Sequence, residues 1–190
     1  MKFDILFCGV GGQGVLSMAA IIGRAAVAQG LTAKQSEVHG MAQRGGAVQA
    51  HLRISDRAIE SDLIPRGCAD LILSLEPVES LRHVAYLAPD GVVVTAASAL
   101  VNVPDYPELE SVLRRVRELP AGIVIDADRL ADEAGDLQSV NTVMVGAAAR
   151  FLPLSTRALE DAVAGVFERK GEESLRVNRL AFDAGRRAAA

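Results

Sequence analysis

Two glycine-rich polar segments near the start of the chain hold the residue types best suited to binding chemistry. The first offers backbone N–H groups and one amide side chain, from Gly9, Gly11, Gly12, Gln13 and Gly14. The second offers a carboxylate, an imidazole, an amide and a guanidinium close together, from Glu37, His39, Gln43, Arg44, Gly45 and Gly46. Both segments follow predicted strands, so we expect them to lie on one binding edge of the protein.

The first segment has the spacing Gly-x-Gly-x-x-Gly between a strand and a helix. Free N–H groups at the start of a helix, together with the helix dipole, favour an anion there. The motif alone is weak, because a dinucleotide site also needs an acid closing the second strand. Glu37 could fill that role, but it belongs to a polar cluster. The alternative, that the glycines only permit tight strand–helix packing, stays open. The Gln13 amide argues for a ligand or a partner, since a polar amide adds nothing to packing.

The second segment admits two interpretations. Arg44 could hold a phosphate or a carboxylate through two parallel hydrogen bonds, with Glu37 orienting it or His39. The same side chains could instead form a polar network against a partner subunit, and the sequence leaves both roles open. Base catalysis by His39 is disfavoured because no activated Ser or Cys nucleophile accompanies it. We therefore assign no catalytic residue to this chain.

Glu76 is a further candidate for the same site. It follows a predicted strand at residues 70–75, and ligands bind at the carboxyl ends of such strands in α/β proteins. The alternative is helix initiation, because an acid followed by Pro77 suits a first helical turn. Both interpretations stay open.

Composition excludes several classes of function. The chain has only two cysteines and three histidines, whereas an iron–sulfur cluster or a structural zinc site needs four ligands in close spacing. A net charge of −4 without a basic stripe and an aromatic content of 4% argue against nucleic-acid binding. The sequence contains neither an apolar run long enough to span a membrane nor a signal peptide, so we expect a cytoplasmic protein.

The elements that must position these segments alternate between strand and helix. Strands are predicted at residues 4–8, 32–37, 47–54, 70–75, 92–96 and 123–125, with turns at 55–57 and 89–91 and a hairpin partner near 58–59. Helices are predicted at 15–28, 108–119, 126–134, 139–150, 155–170 and 172–187, and a further one opens at Pro77. This order predicts an α/β fold in three α/β/α layers, with a mainly parallel, mixed sheet and a helical C-terminal third from about residue 138 to 190. We expect a single domain spanning 1–190.

Three segments taken in order resemble the gamma-type subunits of 2-oxoacid:ferredoxin oxidoreductases: residues 9–14, 37–46 and 75–79. Within that family, the sequence of residues 37–44 is most similar to that of the beta subunits of indolepyruvate:ferredoxin oxidoreductases. The similarity continues through Asn141 and Thr142 to Asn178, so it covers nearly the whole chain.

The resemblance implies a division of labour between chains. A larger alpha subunit would hold thiamine diphosphate and 4Fe–4S clusters. The assembled enzyme would decarboxylate an aryl-2-oxoacid such as indolepyruvate, pass electrons to ferredoxin and transfer the acyl group to coenzyme A. This chain would cover the active site, help to bind coenzyme A and be inactive alone. The competing reading from the residues is an independent NAD- or FAD-binding oxidoreductase.

Overall fold

The computed structural model describes residues 1–39, 45–101 and 104–189, with His39 described by its backbone only. Within these residues the strands are β1 Lys2–Val10, β2 Thr32–His39, β3 Ala47–Ser55, β4 Ala69–Ser74, β5 Leu87–Ala96 and β6 Gly122–Ile125. The α-helices are α1 Val15–Ala28, α2 Pro77–Arg82, α3 Leu109–Arg117, α4 Ala127–Ala134, α5 Val140–Ala148, α6 Thr156–Phe167 and α7 Glu172–Ala188. None of the helices in the described ranges is long and apolar enough to cross a bilayer.

The six described strands form one sheet in the order β2-β3-β1-β4-β5-β6. β1, β4, β5 and β6 pair in parallel, whereas β3 is antiparallel to both β1 and β2. The central strand β1 is apolar on both sides, with Ile5 and Leu6 fully buried, because both faces of the sheet are covered. The predicted mainly parallel, mixed α/β sheet is confirmed.

Two apolar clusters form the layers on either side of this sheet. One face packs under α1 and the C-terminal helices, around Phe7, Met18 and Phe182. The other packs under α2 and α3, around Ile72 and Val116. This arrangement gives the three α/β/α layers that the sequence predicted.

The predicted hairpin partner near residues 58–59 is wrong. Those residues form no strand, because β3 already pairs with β1 along one edge and with β2 along the other. The chain after β3 is held as a loop by the Arg53 guanidinium, which donates to the carbonyls of Ser61 and Leu63 at 3.0 and 3.2 Å. The sheet is mixed because of the direction of β3, not because of a hairpin after it.

The predicted turn at 89–91 also takes another form, since β5 begins at Leu87 and runs through it. Leu87 lies opposite Ala69 and Val92 lies opposite Leu71. A step of five residues along β5 therefore corresponds to a step of two residues along β4. The Pro-Asp-Gly sequence therefore forms an irregularity within one strand, as a large β-bulge does.

The helix ends follow the local signals in the sequence. Asp126 and Ser155 accept hydrogen bonds from N–H groups in the first turns of α4 and α6, as capping residues do. α4 ends at Gly135, which has a φ of 110°. These ends agree with the predicted boundaries of both helices, although α6 gives way to a 3₁₀ turn, Glu168–Lys170.

α5 and α7 pack with their backbones in direct contact. A Cβ atom added to Gly146 would lie 2.1 Å from the Phe182 carbonyl oxygen, and one added to Gly185 would lie 1.9 Å from that of Val143. This contact fixes α5, whose first turn reaches the loop between β1 and α1.

Candidate functional site

The two glycine-rich segments lie side by side. The Gly11 N–H donates to the Gly46 carbonyl at 2.8 Å, and the Gly45 N–H donates to the Gly11 carbonyl at 3.2 Å. These bonds continue the β1–β3 ladder beyond its last pair, Val10 with Ala47. We call residues 9–14 together with Gly45 and Gly46 the glycine rim. The expected adjacency of the two segments is thus present, while ligand binding by them stays a prediction.

Part of the second segment lies outside the described residues. Gln43 and Arg44 fall there, and of His39 only the backbone is described. Glu37 is exposed near the end of the edge strand β2. The ligand or interface roles of these four side chains therefore stay predictions.

Gln13 makes two internal hydrogen bonds within the glycine rim. Its side-chain oxygen accepts from the Val10 N–H at 2.7 Å, and its amide nitrogen donates to the Leu75 carbonyl at 3.1 Å. The amide thus ties the loop to β1 and to the chain leaving β4. The argument that it adds nothing to packing is wrong, because these backbone groups need partners when partly buried. Direct ligand contact by Gln13 stays a prediction.

Two of the rim glycines are required by close packing. A Cβ atom on Gly9 would lie 2.8 Å from the Val15 side chain, and one on Gly14 would lie 2.3 Å from the Asn141 amide nitrogen. Gly12 differs, because it has a φ of 106° and no atom of the described residues lies within 4 Å of its added Cβ. Tight packing, the alternative left open by the sequence, therefore accounts for Gly9. Gly14 is favoured by its φ of 81° as well as by its contact with Asn141, and Gly12 faces open space among the described residues.

The start of α1 carries no capping side chain. Gly14 is its N-cap residue, and the first turn holds no acidic residue. The first N–H groups of a helix lack internal partners, and the helix dipole makes this end positive. The geometry therefore suits an anion approaching beside Gly12.

A cavity of about 280 Å³ opens beside the rim. Its lining includes Gln13, Leu75, Ala96, Ser98, Leu100 and Asp128. It lies at the carboxyl ends of β1, β4 and β5. β1 leads to α1 on one face of the sheet and β4 leads to α2 on the other. The connections that follow the neighbouring parallel strands β1 and β4 thus run to opposite faces of the sheet. The cavity therefore lies at a topological switch point, where α/β proteins bind ligands.

Glu76 starts α2, which confirms the helix-initiation interpretation. Its side chain is buried and accepts a hydrogen bond from the Glu79 N–H at 2.9 Å. The other carboxylate oxygen accepts from the Tyr106 hydroxyl. Burial, with the adjacent Glu76, raises the pKa of Tyr106 above its usual range. Sequence reasoning missed Tyr106, which stands alone in a loop without periodic pattern.

Asn141 precedes a strongly apolar helical stretch, and the sequence predicts an interface or capping amide there. Its amide nitrogen donates to the Gly14 carbonyl at 3.3 Å, which joins α5 to the glycine rim across 127 residues of sequence. Asn178 accepts from the Thr142 hydroxyl at 2.6 Å in the interior.

A second polar cluster lies under α2, on the opposite face of the sheet from α1. The Ile64 N–H donates to Nδ1 of His51 at 3.1 Å, so Nε2 carries the hydrogen in the neutral ring. Gln49 lies between the rings, 2.5 Å from Nε2 of His51 and 2.8 Å from Nε2 of His83. Because Nε2 of His51 carries the hydrogen, the Gln49 atom facing it must be the side-chain oxygen. The Gln49 amide nitrogen then faces Nε2 of His83, so the oxygen and nitrogen of this amide are interchanged. His83 Nδ1 then donates to the Glu79 carbonyl at 2.8 Å.

Two ionisable groups near this cluster have shifted pKa values. Burial, with the nearby His83, lowers the pKa of His51. Burial raises the pKa of Glu79, although Arg82 opposes the shift through an ion pair of 2.8 Å. Oxygen Oε2 of Glu79 has no hydrogen-bond partner among the described residues. The cluster ties β3 to α2 through hydrogen bonds, and one oxygen of the buried Glu79 carboxylate stays unpaired among the described residues.

The buried Cys8 thiol is poorly suited to act as a nucleophile. Cys8 is fully buried, and burial raises the pKa of its thiol to about 12, so it stays protonated at neutral pH. Within 1–39, 45–101 and 104–189, no group of three or more His, Cys, Asp or Glu side chains is arranged to hold a metal ion.

Glu37 is poorly placed to close a dinucleotide site. In such folds the second strand lies next to the first, and its acid reaches the ribose above the glycine loop. Here the antiparallel β3 separates β2 from β1, so Glu37 lies one strand farther away, a displacement of about 4.8 Å. This order disfavours the reading of the chain as an independent NAD- or FAD-binding protein.

Comparison with known proteins identifies the family. The family model described as pyruvate ferredoxin/flavodoxin oxidoreductase matches residues 4–188. The indolepyruvate oxidoreductase subunit IorB of Pyrococcus horikoshii is 38% identical over 99% of this chain and 96% of its own length.

Solved structures share the fold along the whole chain. The gamma subunit of a keto/oxoacid ferredoxin oxidoreductase from Geobacter sulfurreducens superposes with a TM-score of 0.71 at 27% identity, over 98% of both chains. A 2-oxoglutarate:ferredoxin oxidoreductase from Magnetococcus marinus gives 0.76 at 22% identity, over 99% of this chain but 31% of that longer one. The chain therefore belongs to the pyruvate ferredoxin/flavodoxin oxidoreductase family, as a gamma-type subunit of the 2-oxoacid:ferredoxin oxidoreductases.

Proposed function

We propose that this chain is the small subunit of an arylpyruvate-oxidising complex, with indolepyruvate as the best candidate substrate. The proposal is supported by relatives named as indolepyruvate oxidoreductase subunits at 36–38% identity. The larger alpha subunit holds thiamine diphosphate and the iron–sulfur clusters, since this chain has too few thiols for a cluster. The complex works in the cytoplasm and passes electrons to ferredoxin.

Within that complex, the glycine rim covers the active site and binds the phosphates of coenzyme A. The observation that carries this assignment is the open backbone at Gly12, next to the uncapped start of α1. Phosphate groups are the ligands that such a helix start favours. The cavity beside Gln13 offers room for the less polar arm of the same molecule. The Magnetococcus relative was solved with coenzyme A bound, which makes this ligand class a reasonable one to test.

The test is a substitution that places a side chain over the rim without disturbing the packing. Gly12→Val puts a branched side chain into the space where the anion would lie. Gly171→Val is the control, because Gly171 has a φ of 101° and likewise has no atom of the described chain within 4 Å of its added Cβ. Both substitutions place a β-branched residue at a positive φ, which costs of the order of 1–3 kcal/mol.

In the reconstituted complex, Gly12→Val should raise the Michaelis constant for coenzyme A roughly 10-fold or more, since a charge-assisted contact contributes about 1.5–3 kcal/mol. The Michaelis constant for the oxoacid should stay the same, and Gly171→Val should behave as wild type for both. Equal coenzyme A dependence of the two variants, with normal assembly, would remove the ligand role and leave an interface role for the rim.

Substrate choice can be tested on the same complex. Initial rates with indolepyruvate, pyruvate and 2-oxoglutarate should favour indolepyruvate when methyl viologen accepts the electrons. Preference for 2-oxoglutarate or pyruvate would contradict the aryl-substrate assignment while leaving the family unchanged.

A further inference from the structure

The glycine rim is held from two sides by amide side chains. Gln13 belongs to the rim and bonds to Val10 and Leu75. Asn141 comes from α5 and bonds to Gly14. Only the second contact links the rim to the C-terminal helices, and nothing in the proposed chemistry uses it.

The Asn141 contact acts on the residue that sets the direction of α1. The Gly14 carbonyl accepts from the Asn141 amide at 3.3 Å and from the Ser17 N–H at 2.9 Å. Because a carbonyl oxygen can only accept, the amide nitrogen of Asn141 must face it. Gly14 has a φ of 81°, a left-handed conformation that turns the chain from the rim into the helix. Holding this carbonyl therefore fixes where the first N–H groups of α1 point.

The position of Asn141 is itself fixed by the packing of α5. The next residue, Thr142, donates to the Asn178 side chain on α7 at 2.6 Å. Asn178 in turn donates to the Ser174 carbonyl at 2.9 Å, so both ends of its amide are engaged. The direct backbone contact of α5 and α7 at Gly146 leaves little freedom for the pair to slide. Asn141 is thus presented to the rim by a rigid helix pair.

We propose that Asn141 is a positioning residue for the anion site at the start of α1. It holds the Gly14 carbonyl so that the rim keeps its binding shape before the ligand arrives. A preformed site avoids the cost of ordering a loop on binding. This inference rests on the proposed function, in which the anion is a phosphate of coenzyme A.

Two substitutions at this position separate the hydrogen bond from the space that the side chain fills. Asn141→Ala removes both, whereas Asn141→Asp keeps the size but replaces the donor with a carboxylate that repels the Gly14 carbonyl. Gln138→Ala, at an exposed side chain in the 3₁₀ turn before α5, is the control. Hydrogen exchange of the amides in residues 11–17 and the kinetic constants for coenzyme A are measured on the assembled complex.

Both variants should speed exchange in the rim by roughly 3- to 10-fold, the loss expected for one neutral hydrogen bond. The Michaelis constant for coenzyme A should rise by a similar factor while kcat at saturating coenzyme A stays the same. Gln138→Ala should change neither. Faster exchange in both variants, with a raised Michaelis constant in the uncharged Asn141→Ala, supports the inference. The exchange in Asn141→Asp separates the hydrogen bond from space filling, whereas its Michaelis constant also reflects repulsion between the new carboxylate and a phosphate.

Wild-type exchange in Asn141→Asp would overturn the inference. So would faster exchange with an unchanged Michaelis constant, if Gly12→Val still raises that constant. If neither position affects coenzyme A but rim exchange is faster in both Asn141 variants, the coenzyme A assignment fails while the positioning of the rim by Asn141 stands.

Discussion

Gly11 and Gly46 are joined by a backbone hydrogen bond of 2.8 Å, although 34 residues separate them in the sequence. This bond joins the two glycine-rich segments into one surface. It also uses the N–H of Gly11, so an approaching anion must meet the backbone at Gly12 and the start of α1 instead.

Gln13→Ala should destabilise the fold. The substitution leaves the Val10 N–H and the Leu75 carbonyl without their present partner, and an unpaired buried polar group costs about 1–3 kcal/mol. We expect the free energy of unfolding, measured with urea, to fall by about 2 kcal/mol. Gln138→Ala is the control and should change it by less than about 0.5 kcal/mol. Equal stability of the two variants would show that Gln13 does not hold the loop.

Tyr106→Phe should lower the free energy of unfolding, because Tyr106 anchors the segment before α3. It removes the hydroxyl that donates to the buried Glu76 carboxylate, and a hydrogen bond to a charged group contributes about 1.5–3 kcal/mol. Tyr86→Phe is the matched control, because no hydrogen bond involves the Tyr86 hydroxyl in the described part of the chain. Urea denaturation should give a loss of about 2 kcal/mol for Tyr106→Phe only. A double-mutant cycle with Glu76→Ala should be non-additive, and strict additivity would contradict the contact.

Stability should fall in mildly acidic solution because of His51. Its pKa is lowered in the folded chain from the ordinary value of 6.5, so the unfolded chain takes up the proton first. The contribution of His51 is therefore fully present above pH 6.5 and is lost as the pH falls through the lowered pKa. The slope from this residue cannot exceed about 1.4 kcal/mol per pH unit.

His51→Gln removes the titrating ring and tests this assignment. The variant should be less stable at pH 7.5, because Ile64 loses its acceptor, yet its stability should depend less on pH between 7.5 and 5. Urea midpoints across that range provide the measurement. Parallel pH profiles for wild type and variant would exclude His51 as the origin of the slope.

The sequence predicted the fold well where apolar periodicity determined it. β1, α1 and α4 were found with close boundaries because strand burial and capping residues such as Asp126 are local signals. The hairpin after β3 was wrong because the edges of β3 are filled by strands distant in sequence, which no local pattern reports. The Pro89 turn failed for a related reason, since pairing with β4 on both sides holds it within a strand.

The candidate site was predicted less completely than the fold. The glycine spacing located the rim, and Glu76 was found beside it, but the sequence could not separate the packing glycines from the open one. For Gly14 that distinction depends on Asn141, which comes from the C-terminal third. The internal hydrogen bonds of Gln13 were not predicted because its partners are backbone atoms, which carry no sequence signal.

The account depends most on the claim that this chain serves a reaction centre held by another subunit. Anaerobic purification of a tagged copy from its native cells tests this directly, with iron, acid-labile sulfide and oxoacid-dependent dye reduction measured on the product. We predict recovery of a larger iron–sulfur subunit and activity that requires both chains and coenzyme A. Recovery of the tagged chain alone, or oxoacid oxidation by that chain without a companion, would contradict the account.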